Sequence, residues 1–146
     1  MRRLATAAAM LACLRAAPAE AGCSISAVKT AAFGSYNPLA TTPVDTTGSF
    51  TYKCTAGTTI TIDIDGGGAQ NVQARRMTRT GGGSLAYQLY RDPTRLFVWG
   101  NTVTTNAGPM LGAVLDLEVF VYGRIFALQD VETGPYNDAV SVTINY

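Results

Sequence analysis

The chain has 146 residues, 47% of them apolar and 14% charged, with 11 Lys and Arg against 10 Asp and Glu and no histidine. That length suits one hydrophobic core and excludes two comfortable domains. The balanced charge gives no sign of a nucleic-acid or anionic-membrane partner, and the missing histidine removes Ser–His, Cys–His and His–metal sites at once.

Arg2 and Arg3 precede an apolar run over residues 4–14, and small residues follow at 16–22, the layout of a secretory signal. The run is too short to span a bilayer, so no membrane span is expected. Small side chains occupy both recognition positions for cleavage after Ala19 and equally after Ala21. The expected boundaries are therefore a signal over 1–21 and a mature domain over 22–146. A second reading takes Met10-Leu11-Ala12-Cys13 as a lipid-attachment box, where Met and Leu fit poorly. Losing Arg2, Arg3, Arg15 and Glu20 with the signal moves the net charge from +1 to about −1. It also removes Cys13, leaving Cys23 and Cys54, and a lone pair in an exported protein is usually a disulfide. Two separate buried thiols are the alternative.

Beyond the signal no window of helical length has a 3.6-residue apolar period, whereas period-two alternation recurs between clusters of Gly, Pro, Asn and Asp. Phe50, Tyr52 and Cys54 alternate, which puts the second cysteine on the inward face of a strand. Thr59-Ile60-Thr61-Ile62-Asp63-Ile64 sets three isoleucines on one face. Residues 85–90 form a further strand leading into an Asp92-Pro93 turn, and residues 96–99 are expected to resume a strand. Residues 115–126 are rich in β-formers, with Leu117, Val119 and Val121 on one side. Residues 139–146 place Val140, Val142, Ile144 and Tyr146 on one face. Six or seven short strands with turn signals between them predict an all-β, immunoglobulin-like β-sandwich, with a barrel as the alternative. Tyr146 ends an amphipathic strand where a finished domain usually continues into a turn, another strand or a polar tail.

The candidate chemistry is sparse. Asp116 with Glu118, and Asp130 with Glu132, have the spacing of solvated sheet faces rather than of acid/base partners. Asp63-Ile64-Asp65-Gly66-Gly67-Gly68 resembles the start of a calcium loop, but Gly67 takes the third ligand position and Ala74 that of the bidentate glutamate. It reads as a strand ending in a flexible hairpin. Gly81-Gly82-Gly83 precedes a strand and so cannot act as a helix-capped phosphate cradle. Arg75, Arg76 and Arg79 offer either a contact for an acidic partner or a solvated edge that discourages wrong pairing. Tyr36, Tyr87, Tyr90, Trp99, Tyr122 and Tyr136 suit a carbohydrate-binding surface or, more simply, core and corner positions whose hydroxyls reach backbone. No enzyme activity, cofactor or metal is expected.

Taken in order, a set of landmarks spans nearly the whole mature chain. They are Cys23; Ala32-Phe33-Gly34-Ser35-Tyr36-Asn37-Pro38; Gly48 with Tyr52-Lys53-Cys54-Thr55; Arg76-Met77; Leu85-Ala86-Tyr87-Gln88-Leu89-Tyr90 with Asp92; and Trp99-Gly100. Val121-Tyr122-Gly123-Arg124-Ile125, Gln129, Gly134-Pro135-Tyr136-Asn137-Asp138 and Val140-Ser141-Val142-Thr143-Ile144 complete it. In this order and spacing the chain resembles the spore coat protein U domain family, which also supplies subunits of archaic chaperone-usher pili.

The resemblance implies a sandwich lacking its final strand. Such a subunit exposes an apolar groove that a periplasmic chaperone fills first and a neighbouring subunit's N-terminal extension fills afterwards, by β-strand addition. The implied partners are that chaperone, an outer-membrane usher and other pilus subunits. The implied location is the periplasm in transit and then a surface fibre, with adhesion or biofilm formation as output. By the same carry-over Val140, Val142, Ile144 and Tyr146 border the groove. A polymerising subunit needs an extension of roughly ten residues before its first cysteine to fill successive pockets. Cleavage after Ala19 or Ala21 leaves only a stub, so the chain is expected to accept a strand without donating one, as a terminal subunit would. The competing reading is a free-standing secreted spore-coat or surface-binding module that does not polymerise, and a carboxylate-dependent hydrolase is a distant third.

Overall fold

A computed structural model describes residues 22–146; the expected signal, with its cleavage site, lies outside the described residues. Eight strands form in chain order: β1 (Cys23–Lys29), β2 (Val44–Cys54), β3 (Thr59–Ile64), β4 (Arg76–Thr78), β5 (Ser84–Tyr90), β6 (Ala107–Leu111), β7 (Leu117–Ile125) and β8 (Val142–Asn145). They make two antiparallel sheets, β1-β2-β7-β5-β4 and β6-β3-β8. Alternation decides which face of each strand turns inward. Phe50 and Tyr52 from β2, Ile60, Ile62 and Ile64 from β3, Leu85, Tyr87 and Leu89 from β5, and Val121 and Ile125 from β7 are all buried. Trp99 lies among them, 1% exposed, and its indole N–H donates to the Ile62 carbonyl. The arrangement is an immunoglobulin-like β-sandwich. Among the described residues no helix is long and apolar enough to cross a membrane.

Cys23 and Cys54 face each other across β1 and β2 and form a disulfide that closes a separation of 31 residues. In a chain-entropy model such a closure stabilises the fold by about 3 to 4 kcal/mol.

Three local expectations are corrected. Residues 96–99 do not resume a strand: only the single bridge Tyr90–Val98 forms, because the Asp92 carboxylate accepts the N–H groups of Leu96 and Phe97 and holds the chain in a turn. The glycines after Asp65 do not make a hairpin. They form a 3₁₀ turn at Gly67–Ala69 on a crossover from the smaller sheet to β4 of the larger one. Arg75 is neither a partner contact nor a solvated edge residue, since it is 0% exposed. Its guanidinium donates to the carbonyls of Ile64, Asp65, Val72 and Trp99 and to the Gln88 side chain. It thereby ties the end of β3 to β5 and to the chain beside Trp99.

Candidate functional site

A cleft of about 860 Å³ opens between the two layers. Its floor is the inner face of the larger sheet, with Phe50, Leu85, Tyr87, Leu89, Val121 and Ile125. The end of β1 and the segment after it, residues 28–36, line one part, and Ile64, Val140 and Val142 another. Residues 131–139 complete the lining.

The 28–36 segment lies where it does because two inward positions of the sheet are glycines. A Cβ at Gly123 would come within 2.7 Å of the Phe33 ring, and one at Gly48 within 2.8 Å of the Lys29 carbonyl. Phe33 also meets Tyr87 edge-on, with ring centroids 6.2 Å apart. Tyr36 anchors the far end: its hydroxyl donates to the Phe126 carbonyl and accepts from the Gln129 N–H. Thr46 fixes the middle by donating to the Ala32 carbonyl.

Most polar groups around the cleft find partners locally, although the buried Arg79 Nε has none among the described residues. The Tyr87 hydroxyl donates to the Asp138 carboxylate at 2.6 Å. Burial, and then the neighbouring carboxylate, push the Tyr87 hydroxyl far above the usual tyrosine range, so it stays protonated as a donor. Arg79 forms an ion pair with Glu132, and the Tyr136 hydroxyl donates to the Glu132 carbonyl. What the cleft offers an occupant is therefore mainly apolar surface, with Tyr87, Glu132 and Asp138 as polar groups in its lining. Among the described residues no group of three or more His, Cys, Asp or Glu is placed to hold a metal. Glu118 accepts from Ser49 on the outer face of β7, and Asp116 precedes that strand.

The structure places the sequence-derived residues unevenly. Val140 and Val142 line the cleft, Ile144 packs against the core away from the lining, and Tyr146 lies past β8 at 66% exposure. Of the motif residues, Phe33, Gly34, Tyr36, Met77, Tyr87 and Leu89 line the cleft, joined by Gly134, Tyr136 and Asp138 from the far segment. Trp99 belongs to the core, and Gly100 sits against Thr105, where a Cβ would clash. Tyr90 is buried, Tyr122 lies under the Arg95 guanidinium 5.9 Å from the ring centroid, and exposed Arg76 reaches Ser84. The six aromatic candidates thus do not form one exposed surface: Tyr87, Tyr90 and Trp99 are buried, while Tyr36 and Tyr136 turn their hydroxyls to carbonyls.

Sequence reasoning missed that 28–36 is part of the lining, although Phe33 among small, uncharged residues was a usable signal. It also missed Asp65, read only as part of a failed calcium loop.

The Spore Coat Protein U domain model matches residues 8–143. Protein U of Myxococcus xanthus is 38% identical over 126 residues, covering 78% of this chain and 70% of that protein. Among solved structures, a chain in the CsuC–CsuE chaperone–tip adhesion subunit pre-assembly complex, from archaic chaperone-usher Csu pili of Acinetobacter baumannii, has the same fold. It superposes with a TM-score of 0.59 at 19% identity, over 87% of this chain and 40% of the other. This chain thus spans well under half of that one. On the extent of the family match and the 38% identity to Protein U, the chain belongs to the Spore Coat Protein U domain family.

Proposed function

We propose that the chain is a structural subunit of a secreted surface fibre of the chaperone-usher type, and that its cleft accepts a β-strand from a partner. The observation that carries this reading is the pairing of an apolar cleft with an unguarded strand edge. Sheet edges normally carry a device against stray pairing. Edge strand β6 contains Pro109, β4 has three residues and is bridged at Thr78 to Asn137, and β1 carries a bulge and Lys29. β8 has no charge, proline or bulge, and among the described residues it pairs on one side only, with β3. Val142 of β8 and Val140 just before it line the cleft. A strand laid there would gain main-chain bonds from β8 and bury its alternate side chains.

In this reading a periplasmic chaperone occupies the cleft first, a neighbouring subunit follows, and an outer-membrane usher passes the assembly to the surface. Adhesion or biofilm formation is the output. If cleavage falls after Ala19 or Ala21, the chain accepts without donating and sits at a fibre end. Intact-mass analysis of the exported protein tests that part, and a mature start well upstream of Cys23 would remove it. The main reading is tested by exporting the full chain alone and together with a chaperone of this pilus class. A chaperone that raises both the yield and the unfolding midpoint of the folded protein supports it, whereas equal yield and midpoint with and without the chaperone contradict it.

The family's description and the identity to Protein U favour a second reading, a free-standing coat or surface-binding module. It predicts a lone protein as stable as the chaperone-bound one.

A further inference from the structure

The edge of the cleft at residues 137–142 is a strap that crosses from one sheet to the other with little ladder of its own. At one end Asn137 exchanges two main-chain bonds with Thr78 of β4. At the other end β8 starts only at Val142, paired with Ile64. Between these points the strap is held by two carboxylates that reach across each other. Asp65, just past β3, accepts the Ser141 N–H and the Gly67 N–H on one oxygen, each at 3.0 Å, while its own N–H donates to the Ser141 carbonyl. Asp138, in the strap, accepts the Gly68 N–H at 2.8 Å and the Ala139 N–H at 3.0 Å, and its other oxygen takes the Tyr87 hydroxyl.

The glycine run serves this arrangement. Gly67 has φ +60°, and a Cβ there would run into the Asp138 carboxylate; one at Gly68 would meet it at 3.2 Å. The Asp65-Gly66-Gly67-Gly68 sequence that resembles the start of a calcium loop is thus a seat for a carboxylate of the strap.

We infer that Asp65 and Asp138 are positioning residues for strand acceptance: their cross-brace fixes the strap that presents Val140 and Val142, so the cleft wall is formed before an occupant arrives. This rests on the acceptor reading above. Without the brace, binding must also order the strap, and that ordering lowers affinity.

The test uses the full exported chain and a soluble synthetic peptide of about ten residues, valine alternating with threonine, as the strand probe. Asp138→Ala is expected to weaken peptide binding about tenfold and to speed amide exchange at Ser141 and Val142 while leaving Ile60 and Ile62 in β3 unchanged. Asp138→Asn retains an acceptor oxygen for Gly68 and Ala139 and should return affinity to within about twofold of wild type. Gly67→Ala attacks the brace from the opposite side and should reproduce the loss, which keeps the test available if Asp138→Ala does not fold. Equal peptide affinity in wild type, Asp138→Ala and Gly67→Ala overturns the brace and leaves the acceptor reading standing. Failure of the peptide to bind wild type overturns the acceptor reading, and the proposal with it.

Discussion

A buried guanidinium is tolerable only when its donors all meet oxygens, and at Arg75 they do. Removing it leaves several carbonyls unpaired in the interior. Arg75→Met should therefore cost about 3 kcal/mol or more, read as a lower urea midpoint, and a variant within about 0.5 kcal/mol of wild type would contradict this. Asp65 is one source of acid sensitivity, beside Asp45 and Asp92, whose carboxyls are also held below the ordinary range. Burial alone would raise its pKa, but the N–H bonds from Ser141 and Gly67, helped by the Arg75 charge, outweigh it and hold the carboxyl below its ordinary 3.8. A folded pKa below the unfolded value gives stability that is present above about pH 4 and lost as pH falls through the folded value. Asp65→Asn should flatten the loss of stability below pH 4, and an unchanged acid limb would contradict the assignment. Neither role was legible in the sequence. Arg75 and Arg76 are adjacent and chemically alike, and only the fold sends one inward and the other to solvent.

Phe33 illustrates how a segment outside any strand becomes part of the cleft. Its ring takes the space that a side chain at Gly123 would fill. Gly123→Ala should destabilise the protein by about 1 to 3 kcal/mol, and combining it with Phe33→Leu should cost less than the two separate losses added together. Strict additivity in that double-mutant cycle would show that the two do not touch. The disulfide acts on the neighbouring β1–β2 pair, and replacing both cysteines with alanine should lower stability by about 3 kcal/mol in chemical denaturation.

The strands readable from the sequence were those with complete alternation, such as the three isoleucines of β3 and the Phe50, Tyr52 and Cys54 series of β2. β4 has three residues and β6 contains Gly108 and Pro109, so neither carried a period to read. The stretch 96–99 is a run of β-forming apolar residues, but Asp92 captures the N–H groups of Leu96 and Phe97 first. β8 is shorter than its pattern because the Asp65 carboxylate takes the Ser141 N–H that the ladder would use.

At the scale of the whole molecule, the sandwich has a well-filled half around Trp99 and a half opened by the cleft. Floor residues of the cleft such as Leu89 and Val121 are otherwise core residues, so an inserted strand would extend the core rather than coat a surface. The amphipathic pattern of residues 140–146 and the family landmarks gave a groove there as an expectation, of which Val140 and Val142 line the cleft, while the lining by 28–36 and the strap emerge only from the packing. The most direct measurement joins a strand to the chain: a glycine-serine turn after Tyr146 followed by about ten residues alternating valine and threonine. A strand accepted in the cleft should raise the midpoint of cooperative thermal unfolding by about 10 °C or more over the same extension made only of glycine and serine. Equal midpoints for the two extensions would contradict strand acceptance.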